Sequence, residues 1–222
     1  MVTIVYNLLT RDKTRVDNVY QQIELYKNKG YNVKIFESMD WKLHWKHIIR
    51  FFNHFKIPIY KLNRAHNLRG KFARIATLLM SCKYVLDMDE PIILLEDDVK
   101  MPDDFHFDLE TIKKYEMLKL SRCGEGFYLT KPWVEKFFNK IYAVPFYKPS
   151  DMYIIEQMKP AKILYIEDKH LICPTSKGNI MRSLGAGDIL NTNTDNKIPF
   201  LNQIRLFNDN DKKDRLRLCD KI

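Results

Sequence analysis

Residues 91–105 read PIILLEDDVKMPDDF, and the fold turns on how they are read. Ile92, Ile93, Leu94 and Leu95 form an apolar run of the length of a strand buried on both faces. Glu96, Asp97 and Asp98 follow at once. Three adjacent carboxylates repel one another, so a buried strand that ends on them needs a way to carry the charge. Water in an ordinary acidic turn is one way. A hard divalent cation such as Mg2+ or Mn2+ is the other, because it takes oxygen ligands and completes its shell with substrate phosphates. In open α/β sheets ligands bind beyond the carboxyl ends of the strands, and the triplet falls there.

Composition sets the frame around this strand. The 222 residues suit one α/β domain with at most a small appendage. With 45% hydrophobic residues there is enough apolar material for a packed core, which excludes global disorder. The formal charge of +9 favours anionic partners: nucleotide phosphates, nucleic acid or acidic lipid. Cys82, Cys123, Cys173 and Cys219 are scattered without a CxxC pair, which argues against zinc and for a reducing, cytoplasmic setting. No signal pattern and no apolar run of membrane-crossing length is apparent.

Upstream, Thr3–Tyr6 reads as a buried strand. Val16, Val19, Tyr20, Ile23 and Tyr26 recur at helical spacing up to Gly30, and residues 31–36 alternate as a second strand. This βαβ unit lacks a Gly-rich phosphate turn. Arg11 and Arg15 stand near the first strand's carboxyl end, either as solvated charges or close to a nucleotide. In residues 41–56, Trp45, Ile48, Ile49, Phe52 and Phe55 share one helical face, opposite Lys46, His47, Arg50, Asn53 and His54. Such a helix packs on the domain or makes peripheral contact with an anionic membrane. Residues 63–81 predict a helix whose Asn67, Lys71 and Arg74 form a polar stripe, which is either solvated or turned to a diphosphate.

Downstream of the acidic strand, residues 102–115 predict a loop and then a helix. Gly124-Glu125-Gly126 followed by Phe127-Tyr128-Leu129 predicts a turn that a ligand can approach closely, then a short strand. Residues 131–141 predict a helix. Asp151 stands where it can cap the next helix or serve as a general base. Strands are expected at 163–166 and 170–175. Residues 186–222 read as a polar loop and a charged tail or helix beside the domain at 1–185.

Four segments in this order resemble the lipooligosaccharide and collagen galactosyltransferase family. Val5-Tyr6-Asn7-Leu8 with Arg11 and Arg15 resembles its opening strand and arginines. PIILLEDDVKMPDDF resembles its ILEDD segment. GFYLTKPWVEKFF, then PSDMYI, resembles its later strand–helix and Pro-x-Asp segments. The resemblance implies a GT-A-type fold: a single αβα sandwich around a mostly parallel sheet. It implies transfer of a hexose, with inversion, from a nucleotide diphosphate sugar to a hydroxyl of a glycan or glycoconjugate acceptor. UDP-glucose or UDP-galactose is the donor it suggests.

On that resemblance Mn2+ or Mg2+ bridges the diphosphate, held by Asp98 with Glu96. The donor lies against Asn7, Leu8, Thr10, Arg11, Arg15, Lys71, Arg74, Glu96 and Asp97, and Asp151 is the base. Asp103, Asp104 and Glu125 are the other acids that could line the cleft. Nucleic acid is not expected as a partner. Two further classes fit parts of the sequence. A metal-dependent nuclease or nucleotidyltransferase would need a second acidic strand end, for which Asp87 and Asp89 are the candidates. A non-catalytic basic module would bind nucleic acid or membrane through the aromatic-basic helix.

Overall fold

The structure is a computed structural model that describes residues 2–8, 12–40, 44, 48, 52, 66–122, 124–143 and 150–172. Thr10, Arg11, most of 41–56 and all of 186–222 lie outside the described residues, and so do the expectations placed on them. The described residues build a six-stranded sheet in the order β2-β1-β3-β5-β4-β6. The strands are β1 (Thr3–Leu8), β2 (Asn32–Glu37), β3 (Ile92–Glu96), β4 (Met117–Ser121), β5 (Gly126–Leu129) and β6 (Ala161–Ile166). Five run in one direction and β5 runs against them, so the sheet is mostly parallel. The expected αβα sandwich is the observed architecture.

Strand alternation divides the core in two. Val5, Ile92, Leu94, Phe127 and Leu129 point to one face. There they meet α2 (His66–Met88), α4 (Lys131–Ala143) and α5 (Ser150–Met158). Ile4, Tyr6, Ile93, Leu95 and Tyr128 point to the other, under α1 (Lys13–Asn28), with Phe107 and Ile112. Ile48 and Phe52 from the aromatic-basic stretch are fully buried in the first core. The apolar residues of that stretch which the structure describes therefore pack on the domain.

Several boundaries differ from the sequence reading. The second helix does not stop at Ser81. Cys82 and Val85 continue its buried face and Lys83 pairs with Asp87 one turn on at 2.8 Å, so it runs to Met88. Asp89, at φ 54°, ends it. The helix expected near 102–115 is a single turn, α3 (Leu109–Ile112), capped by the Asp108 carboxylate accepting from the Thr111 N–H.

Strand β4 escaped the reading because Lys119 interrupts its apolar pattern. Its ammonium instead donates to the Arg122 carbonyl at 2.5 Å, which lets the stem lie buried. Of the strand expected at 170–175, only residues 170–172 are described: His170 closes a 3-10 turn (Asp168–His170) and Leu171 makes an isolated bridge to Val99, while 173–175 lie outside the described residues. No helix among the described residues is long and apolar enough to cross a membrane.

Candidate active site

The acidic triplet stands at the carboxyl end of β3, and strand geometry separates its members. Successive side chains leave a strand on opposite faces. Glu96 closes the ladder beside Asn7 and turns to the α2 side, where its Oε2 lies 2.8 Å from Nη2 of Arg74. Asp97 is buried on the α1 side, and the Arg15 guanidinium of α1 donates to it. The same guanidinium lies 3.7 Å from Asp98 and 3.5 Å from Asp12. One turn along α1, Asn18 donates to the carbonyls of Asp97 at 2.9 Å and Val99 at 3.0 Å. The turn is closed by Val99 N–H donating to the Glu96 carbonyl. From the other side, Ile172 N–H donates to the Asp98 carbonyl and Lys100 N–H to the His170 carbonyl.

This packing sets the charges. Burial acts to lower the Arg15 pKa, but the carboxylates of Asp97, Asp98 and Glu96 outweigh it and hold the guanidinium above its ordinary value. Burial pushes the Asp98 carboxyl up to about 7. Asp97 and Glu96 add to the rise, and Arg15 and Arg74 oppose it. Asp98 Oδ1 is buried and has no hydrogen-bond partner among the described residues. A buried oxygen without a partner carries a desolvation cost that an arriving donor or cation would relieve.

Among the described residues, no group of three His, Cys, Asp or Glu side chains is arranged to hold a metal ion. A Mg2+-like ion, however, commonly takes only one or two carboxylates and keeps water or phosphate in its other places. Glu96 and Asp98 offer at most two such carboxylates, with the unsatisfied oxygen on Asp98, so an ion held by them would take its other ligands from substrate or water.

A cleft opens on the α2 side of the triplet, lined by Asn7, Arg74, Leu78, Glu96, Glu125 and Phe127 among others. Asn7 is anchored from α2: the Ser81 hydroxyl lies 3.2 Å from its Oδ1 and 3.2 Å from the Thr77 carbonyl, sharing one proton between them. Glu125 enters from the turn before β5. Its carbonyl accepts from the Glu96 N–H at 2.9 Å. Ser121 Oγ accepts from the backbone N–H groups of both Gly124 and Glu125, at 2.9 and 2.8 Å. Gly124 has φ 109°, a conformation L side chains rarely adopt. A Cβ on Gly126 would stand 2.4 Å from Ile166 Cδ1 and 3.2 Å from Leu95 Cδ2.

The structure thus brings Asn7, Arg74 and Glu96 into one cleft, with Asp97, Asp98 and Arg15 joined on the adjoining α1 side. Leu8 is buried in the α1-side core. Lys71 lies on α2, three residues before Arg74. Asp151 is the second residue of α5, inside the helix and not at its N-cap. Asp103 and Asp104 are exposed in a turn. Asn18 and Ser121 escaped the sequence reading. Asn18 shares a helix face with Arg15 at i, i+3, which is the one trace of its role; for Ser121 no signal precedes the fold.

No family model matches the chain, and no curated protein matches it. Among solved structures it is similar to one described as "crystal structure of a glycosyltransferase involved in the glycosylation of the major capsid of PBCV-1". The two are 12% identical, over 74% of this chain and 81% of that chain, with a TM-score of 0.43. A likeness that distant assigns no activity, and the resemblance to the galactosyltransferase family has no matching family model behind it. What stands for this chain is a mixed α/β sandwich with a polar cleft at the carboxyl ends of β1 and β3.

Proposed function

We propose that the chain is a glycosyltransferase that moves a hexose from a nucleotide diphosphate sugar, a UDP-sugar in the first instance, to a hydroxyl of a glycan or glycoconjugate acceptor. The observation that carries this reading is the cleft in which Glu96, Arg74, Asn7 and Glu125 meet at the strand ends, the place where open α/β sheets take ligands. The resemblance of the four sequence segments supports it. Glu96 and Asp98 would hold Mn2+ or Mg2+, which when bound supplies positive charge for the departing diphosphate.

Arg74 is half exposed and already paired with Glu96. It can turn to phosphate oxygens without a new buried charge being created. An inverting transfer also needs a carboxylate to take the proton of the attacking hydroxyl, and Asp151 is the residue proposed for it. The nuclease reading is less well supported. Asp87 and Asp89 precede β3 and sit at its amino end. They are a strand length, roughly 15 Å, from the triplet, and cannot share its metal.

Titration calorimetry of UDP, GDP and their sugars, with and without Mn2+, tests the proposal; absence of binding by any of them would defeat it. Arg74→Ala is expected to weaken binding of UDP by roughly tenfold, the scale of a charged hydrogen bond, and to leave uridine binding unchanged. Equal losses for uridine and UDP would mean that Arg74 acts through packing.

Asp151→Asn is expected to melt within a few degrees of the parent and to bind donor normally. Its transfer rate should fall roughly a hundredfold or more, since an amide cannot take up the proton. Transfer at the parent rate would free Asp151 from the base role.

A further inference from the structure

The geometry points to Glu125 as the side chain that grips the hexose of the donor and discriminates among sugars, an inference that rests on the donor-site reading above. Its place comes first. In a nucleotide diphosphate sugar the ribose is bonded to the first phosphate and the hexose directly to the second, so a side chain beside the second phosphate meets the sugar. Glu125 is that neighbour: its carbonyl accepts from the Glu96 N–H, and both residues line the same cleft. It lies two residues before Phe127, whose side chain is in the α2-side core and also lines the cleft, so alternation along the chain sends the Glu125 side chain to the same side.

Its rigidity comes second. The turn that carries Glu125 is held at two successive backbone N–H groups by one serine oxygen, Ser121 Oγ. Gly126, on its other side, has no room for a Cβ without Ile166 moving. With the backbone held this firmly, only the side chain's own rotamers remain to be ordered when a ligand arrives.

Its chemistry comes third. An ionised carboxylate has two acceptor oxygens and no donor. A hexose presents adjacent hydroxyl donors, and charge-assisted bonds to them are about twice as strong as neutral ones. The residue is 8% exposed and lines the cleft, so a ligand there would reach it largely shielded from bulk water. Asp103 and Asp104 are exposed on a turn and lack this placement.

The test compares a sugar nucleotide with its bare diphosphate on the full chain in Mn2+. Calorimetry is run with UDP, UDP-glucose and UDP-galactose, and with GDP and GDP-mannose. The parent is expected to bind one hexose form more tightly than the matching diphosphate. Glu125→Gln is expected to lose roughly tenfold or more of affinity for that hexose form, to keep its affinity for the diphosphate within about twofold, and to melt near the parent. Glu125→Asp, which keeps the charge, is the second variant should Gln disturb the fold, and should lose hexose affinity selectively through its shorter reach. Asp104→Asn should change neither ligand.

Equal losses for both ligands would make Glu125 a structural residue and overturn the inference. So would a hexose preference that survives in Glu125→Gln, or a parent that binds diphosphate with no gain from the sugar. A parent that binds none of the five nucleotides overturns the donor-site reading and this inference with it.

Discussion

Arg15→Ala is expected to destabilise the protein by about 3 kcal/mol or more, the range found when one partner of a buried ion pair is removed. From sequence, Arg15 is a candidate ligand for the donor's phosphates. In the structure its guanidinium is only 15% exposed and is committed to Asp97, whose side chain is 3% exposed, and to the neighbouring Asp98. Removing it leaves this charge to desolvated carboxylates. The expected loss is seen as a lower urea midpoint at unchanged slope. Arg15→Ala combined with Asp97→Asn should recover part of the loss, because the neutral amide no longer needs the cation. A midpoint close to the parent's, with nucleotide affinity lost instead, would return Arg15 to the phosphate site.

Asp98→Asn is expected to change how stability depends on pH, and to abolish Mn2+-dependent donor binding. The folded-state pKa of Asp98 is raised to about 7 from an ordinary 3.8. The native state therefore binds this proton more firmly than the unfolded chain does. Stability from this group is complete below pH 4, is lost as pH rises through 7, and changes no further above that. Three pH units correspond to about 4 kcal/mol at most.

Other carboxylates titrate in the same window, so the measurement is the difference between parent and variant in urea midpoint from pH 4 to 8. The parent should fall relative to Asp98→Asn over that range. A cation needs the ionised form, so Mn2+ affinity of the parent should rise with pH towards 7. Parallel pH profiles, together with a UDP-sugar affinity that still responds to Mn2+ in the variant, would remove Asp98 from the metal site.

Part of the site can be read along the chain because it depends on local pattern. Ile92–Leu95 is apolar without interruption, as a strand covered on both faces is, and Glu96–Asp98 marks where that strand ends. The first βαβ unit is legible for the same reason: residues at 3.6 and 2 spacings report which face is buried. Gly124 and Gly126 flag the turn before β5, since glycine next to an acid in an otherwise apolar stretch asks for a backbone reason.

What the chain order does not contain is who faces whom across the sheet. The triplet EDD is contiguous, yet Glu96 goes to Arg74 and Asp97 to Arg15, on opposite faces. Their partners stand 22 and 82 residues away in sequence, and neither pairing is a matter of local spacing. Glu125 joins Glu96 only because β5 inserts antiparallel between β3 and β4, an order no periodicity encodes. Local propensity and hydrophobic period therefore decided most of the strands and helices, β4 apart, and the place of the acidic end. Long-range strand order and packing decided which charges are neutralised inside the fold and which remain to line the cleft, because burial and pairing are properties of the assembled layers and not of any one segment.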